Sequence, residues 1–445
     1  VSPEARWQQE LEAPTGDFFA VFAARIAAPD GVRDALREAV KALVPRLDWE
    51  AYLPHVPHGL LGLRAVLRLR PLLEEASFRR ALAIQLHMLA HEGRRSAALA
   101  TQVAAAKGSG SWRNLESYIA ARKPGLAFAE AQGFDLLEAA DFQRLAALVE
   151  GDMANVGHKA VVARHLEDLH ERLERPRATG RRLFGVAAWL AATPEDTFWC
   201  RRATARLGEA APRVPRDGQA VAIAALEPAV REVCDLGLVA LLDAFTARMQ
   251  AGAEAGQLLS ILVLAASEKL LDARRDLEGK TAWPLVYLAT LAGRGCDEPR
   301  TWAQAAALVN LFPTDEAEAR IQARPVSAPD PADLLEAVLD AEPPQAMGQA
   351  QALCRAGQAE GALRSLAEAA TCNDPTFNHA SQFLAVAAVA DLLPALPQPV
   401  QEALVTALAK SLANSQGSGD LGRLASTCLG GRGPAGTDSR PRPSA

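Results

Sequence analysis

The sequence predicts an all-α protein, a large multi-helix bundle of antiparallel helical pairs. Three observations predict it. Apolar residues recur at i, i+3, i+4 and i+7 along nearly the whole chain. No run of β-branched residues alternates with period two. Ala and Leu dominate a composition that is 49% hydrophobic but only 5% aromatic, so small and aliphatic side chains must fill the core. Roughly fifteen to twenty helices fit the pattern, and 445 residues exceed the size at which one core tends to split.

The punctuation sets the elements in order. Pro29-Asp30-Gly31 opens a helix from Val32, and Asp48-Trp49 leads into the segment that carries the first two histidines. Residues 106–111, Ala-Lys-Gly-Ser-Gly-Ser, read as a loop or linker. Thr193-Pro194-Glu195-Asp196 reads as an N-cap, a first-position Pro and first-turn acids. Gly208 to Gly218 divides the chain near its middle, giving an N-terminal helical domain over 1–207 and a C-terminal one over 219–429. Gly256 to Ala266 and Phe383 to Leu396 are apolar but shorter than the ~20 residues that span a bilayer, so they read as buried helices. The Pro-rich stretch Arg324 to Asp333 also reads as a loop or linker and precedes a helical hairpin over Ala346 to Ala370 that turns at Ala356-Gly357-Gln358 and resembles one solenoid repeat. Residues 430–445, rich in Gly, Pro, Arg and Ser, read as a disordered tail.

Composition excludes several function classes. A net charge of −6 with both signs interspersed offers no field for phosphate backbones, so nucleic acid is not a predicted partner. The six cysteines never form CxxC and read as reduced thiols. No basic n-region or apolar h-region opens the sequence, and the predicted location is the cytoplasm, away from membranes. No GxSxG elbow, P-loop or strand-borne GxGxxG is present.

The eight histidines are the informative residues. His55 and His58 flank Val56-Pro57 where a helix begins, a spacing that can bring both rings toward one point. His87 and His91 form an i, i+4 pair able to chelate a transition metal, or else a solvated pair near a helix end; Met88 in place of Glu excludes HExxH chemistry. His158 follows Gly157 at a helix start. His165 shares its face, and His170, in a charged run, is read as facing solvent. His379 opens an apolar helix after Asn378. Thus His58, His158 and His379 each stand at the start of an apolar helix, and neutral imidazoles converging from separate helices suit Fe, Zn, Cu or Ni. Each has an ordinary alternative as a buried, satisfied histidine.

The segment Trp7 to Leu67, with Pro54-His55-Val56-Pro57-His58-Gly59-Leu60-Leu61, together with Gly157-His158-Lys159-Ala160-Val161 and Asn378-His379-Ala380, resembles the helix-opening His motifs of questin oxidase-like proteins. The resemblance implies an all-helical oxygenase of aromatic polyketides, with non-haem iron held by several His and, in one branch, a carboxylated Lys. The chain differs from that pattern at Ala65, where a second His is usual, in the segment Trp283 to Tyr287, which lacks a His, and at Gln382, near where a Lys often follows the last His.

The expectation is a metal-dependent, non-haem-iron oxygenase of this kind, an oxidoreductase acting on a small hydrophobic aromatic natural product between helices. Iron would be bound by His58, His158 and His379, with His55 or His87 as a fourth ligand and Lys159 as an outlying candidate for a carboxylated one. The rival expectation is a non-enzymatic helical scaffold that binds a protein along a groove.

Overall fold

In the computed structural model, residues 2–28, 30–44, 58–92, 108–150, 157–193, 213–215, 223–273, 282–292, 296–311, 320–372, 381–416 and 420–429 are described. They contain twenty-one α-helices and no strand, one helix more than the upper end of the sequence expectation. The helix predicted to follow the N-cap Thr193, the domain boundary apart from 213–215, and the tail 430–445 lie outside the described residues.

In chain order the helices are α1 (Pro3–Glu12), α2 (Phe18–Ile26), α3 (Gly31–Leu43), α4 (His58–Leu69), α5 (Glu75–Glu92), α6 (Trp112–Ala120), α7 (Pro124–Ala131), α8 (Ala139–Val149), α9 (His158–Arg172) and α10 (Arg177–Ala191). Beyond the middle come α11 (Ile223–Asp235), α12 (Leu238–Gln250), α13 (Ala255–Asp272), α14 (Trp283–Ala292), α15 (Pro299–Leu311), α16 (Pro331–Leu339), α17 (Pro343–Arg355), α18 (Ala359–Thr371), α19 (Ser381–Leu392), α20 (Gln398–Asn414) and α21 (Asp420–Leu429). The two apolar stretches read as buried helices fall in α13 and in α19 with the short turn after it, residues 258–266 and 383–390 are all buried, and no described helix is long and apolar enough to cross a membrane. The predicted hairpin is α17 and α18, turning at Gly357 with φ +73°.

Helices from either side of the middle pack together: α4 against α19, α9 against α14, and α5 against α18 and α21. Residues 213–215 are themselves pinned, since Val214 donates its N–H to Asp297 and Pro215 accepts from Ala255.

Two stretches read as linkers are docked segments. Residues 108–111 lie against the end of α7, where Glu130 accepts from Ser109 Oγ (2.5 Å) and from the Ser111 N–H (2.7 Å). Gly110 adopts φ +72°, and a side-chain carbon there would come within 2.5 Å of the Gly133 carbonyl oxygen. Burial pushes the Glu130 carboxyl up, but the hydrogen bonds from Ser109 and Ser111 outweigh it and hold the group below its ordinary value. Residues 324–330 lie along α17: the Arg324 N–H donates to Pro344, and the Arg324 carbonyl approaches Gly348 so closely that no Cβ fits between them.

An Ala-rich core closes its helix ends with buried and half-buried cations. A helix leaves its last carbonyls without intrahelical donors, and its carbonyl end carries partial negative charge. Lys410, 1% exposed, donates to Leu270, Leu271 and Ala273 at the end of α13. Arg80 does the same at Thr371 of α18, Arg37 at Leu173 beyond α9, and Lys269 at Asn310 of α15.

Candidate functional site

The site begins with a pair of helices that are not neighbours in sequence. Arg64 Nε donates to Asp168 (2.6 Å), Arg172 Nη1 donates to the Leu67 carbonyl (3.4 Å), and the His58 and His158 ring centroids are 5.9 Å apart. Residue numbers rise together along the two helices, so α4 and α9 run parallel with their N-termini side by side. The sequence predicts antiparallel pairs; this parallel contact arises because α4 and α9 are brought together by the core and not by a turn.

A third helix joins them in the same sense. Trp283, the first residue of α14, stacks on His158 with centroids 3.8 Å apart and planes 13° from parallel. One turn further, Tyr287 lies near Arg164 of α9. Three helix N-termini therefore open at one place. Each carries a partial positive charge, which disfavours an imidazolium and favours neutral rings and anionic ligands.

Local sequence explains the placement. Gly157 takes φ +82°, a left-handed conformation that turns the chain into α9 and sets His158 as its first residue. Gly59 and Gly62 are buried on α4. His58 is half-buried and His158 is 7% exposed. The flat stack on Trp283 fixes the plane of the His158 ring.

The contact is held from below by charge. Arg64, with its side chain 10% exposed, bridges Asp168 of α9 and Asp391 of α19 (2.9 Å), and Arg68 adds a second contact to Asp391 (2.6 Å). The sequence reading missed this hub. Its signal is Arg64 and Arg68 at i, i+4 inside Gly59-Leu60-Leu61-Gly62-Leu63-Arg64-Ala65-Val66-Leu67-Arg68, two cations in an apolar helix that demand buried partners.

The remaining histidines separate. His165, on the face of His158 two turns deeper, is buried with no hydrogen-bond partner at Nδ1, and burial and the nearby Arg64 charge hold its pKa well below the ordinary value. His170 is not solvent-facing as predicted. It is 2% exposed, against Phe142 of α8 and Gly180 of α10, and burial lowers its pKa although the Leu137 carbonyl opposes the shift. The charged run around it supplies the exposed faces of α9, while position 170 falls toward two neighbouring helices.

His87 sits on α5 with Phe18, Phe19 and His91 around its ring. Lys159, 2% exposed, donates Nζ to the Thr193 carbonyl (2.9 Å) and so closes the end of α10. Gln382 donates to the Ser415 carbonyl, and Ala65 is wholly buried. His55 and His379 lie outside the described residues; α19, which starts at Ser381, packs on both α4 and α14.

No family model, curated protein or solved structure matches this chain. What chemistry the site can do is set by its donors. An imidazole nitrogen bonded to a metal at ~2.1 Å puts the ion roughly 3.2 Å from its ring centroid, so two rings sharing an ion have centroids up to about 6.4 Å apart. That limit belongs to nitrogens on opposite sides of the ion; at a tetrahedral angle the centroids are about 5.2 Å apart, so from the observed 5.9 Å the His58 and His158 rings must close by about 0.7 Å to share one. Among the described residues no three His, Cys, Asp or Glu side chains form a metal-binding group, so the described part of the site supplies a pair of donors.

Proposed function

We propose that this chain is a non-haem-iron oxygenase of a hydrophobic, aromatic small molecule, with iron held by His58 and His158. His379, a candidate on sequence alone, would be a third ligand. The observation that carries the reading is the meeting of two imidazoles, 5.9 Å apart, at the adjoining N-termini of parallel helices. The resemblance to questin oxidase-like proteins supplies the reaction class.

Bound iron would supply the activation of dioxygen. The chain's own residues do the positioning. Trp283 keeps the His158 ring in one plane, and the three helix N-termini favour neutral imidazoles and an anionic oxygen nearby. Along the first turns of these helices Leu60, Leu61, Val161, Val162 and Val286 are buried and apolar, surroundings that exclude water.

Metal analysis of the purified chain tests this reading. About one iron per chain, lost in His158→Ala with helicity retained, is the expected result. Protein that takes up no iron under reducing, anaerobic reconstitution contradicts it and favours the scaffold reading.

A further inference from the structure

A second imidazole pair lies on α5. His87 and His91 are one helical turn apart and so share a face. Their Nε2 atoms are 3.2 Å apart and their ring centroids 4.4 Å. The two rings differ in setting. His87 is 8% exposed, stacked on Phe19 (centroids 5.3 Å, planes 24°) and edge-on to Phe18 (5.1 Å, 78°), with Nδ1 buried. His91 is exposed to solvent. The aromatic packing thus fixes one ring with its Nε2 edge toward the other, and the second ring remains open to water.

That spacing has a chemical meaning. Two nitrogens each ~2.1 Å from one ion, at angles between square and tetrahedral, are about 3.0–3.4 Å apart. The observed 3.2 Å falls inside this range, so an ion enters with little movement of either ring. In its absence the same two atoms share a proton, one donating and one accepting.

We propose that His87 and His91 form a two-imidazole surface site for a borderline divalent transition-metal ion, Cu2+, Ni2+ or Zn2+, separate from the His58–His158 pair. Hard cations such as Mg2+ and Ca2+ are excluded by the nitrogen donors. Water completes the coordination on the exposed side, which makes the ion exchangeable. Chelation across one turn ties down the end of α5. Because α4 and α5 are joined by the short turn at Arg70–Leu72, that end of the hairpin is also the end at which His58 opens α4.

The full chain without an affinity tag, titrated with NiCl2 and with CuCl2 and followed by equilibrium dialysis and metal analysis, tests the site. His91→Ala, at an exposed position, should remove one equivalent and weaken binding at least about tenfold, the low end of what losing even an outer-shell partner costs. His87→Phe, which preserves packing on Phe18 and Phe19, should do the same, whereas His158→Ala should leave this equivalent in place. Retention on immobilised Ni2+ should fall with the first two variants only. Unchanged stoichiometry and affinity in both His91→Ala and His87→Phe would overturn the assignment, and that outcome is independent of whether iron binds at His158.

Discussion

The Arg64 hub makes a quantitative prediction, because its two ends are not equally replaceable. Arg64→Met removes the cation and keeps most of the apolar stem. Both carboxylates retain a partner: Asp168 keeps Arg172 at 2.9 Å and Asp391 keeps Arg68 at 2.6 Å. No buried charge is stranded, so the loss is that of two charge-assisted hydrogen bonds less the desolvation they cost, about 2 kcal/mol. Asp391→Ala is different. It takes a partner from both Arg64 and Arg68 and leaves Arg68 without its carboxylate and Arg64 sharing Asp168 with Arg172, so about 3–4 kcal/mol is expected, toward the range for breaking a buried pair. With an unfolding entropy near 2.1 cal/mol/K per residue, 1 kcal/mol corresponds to about 1 °C in a chain of 445 residues. Differential scanning calorimetry should therefore show Tm lower by about 2 °C for Arg64→Met and about 3–4 °C for Asp391→Ala. An Arg64→Met loss equal to or larger than that of Asp391→Ala, or no shift in either, would refute the hub as the tie between α4, α9 and α19.

Three further outcomes follow from the same packing. His165 and His170 are held neutral in the fold, with pKa values below the unfolded 6.5, so their contribution is complete above about pH 6.5 and is lost as pH falls below it, by up to ~1.4 kcal/mol per pH unit for each; Tm measured from pH 8 to 5 should decline in that window, and less steeply in His165→Gln. Gly180→Ala puts a carbon 2.4 Å from His170 Cε1, so the ring or α10 must move, and calorimetry should record a loss of about 1–3 kcal/mol. Glu130→Ala removes the acceptor that holds residues 109–111, and limited proteolysis should cut near Ser109 faster than in the wild type while the helical signal is unchanged.

Much of the fold was legible because its signals are local. Gly157 before His158, Gly357 between α17 and α18, and the apolar runs of α13 and α19 each act within one or two turns. What escaped depends on contacts between distant segments. The charged text around His170 gives no hint that α8 and α10 cover that one position. Residues 108–111 look like a flexible linker until Glu130, some twenty residues on, accepts their hydrogen bonds. At the candidate site, two of the three His-bearing helix starts, those of His58 and His158, approach through a parallel pairing that no turn encodes. The stack of Trp283 on His158 was not legible, since an aromatic at a helix start is ordinarily core. The charges that hold α4 in place could have been found from Arg64 and Arg68 alone, because two cations in apolar text require partners.

Iron content under anaerobic reconstitution, compared between wild type and His158→Ala, tests the His58–His158 assignment most directly. The assignment predicts about one iron per wild-type chain and a loss of most of it in the variant, with the far-UV circular dichroism unchanged. Equal iron in both proteins, or none in either, would contradict it.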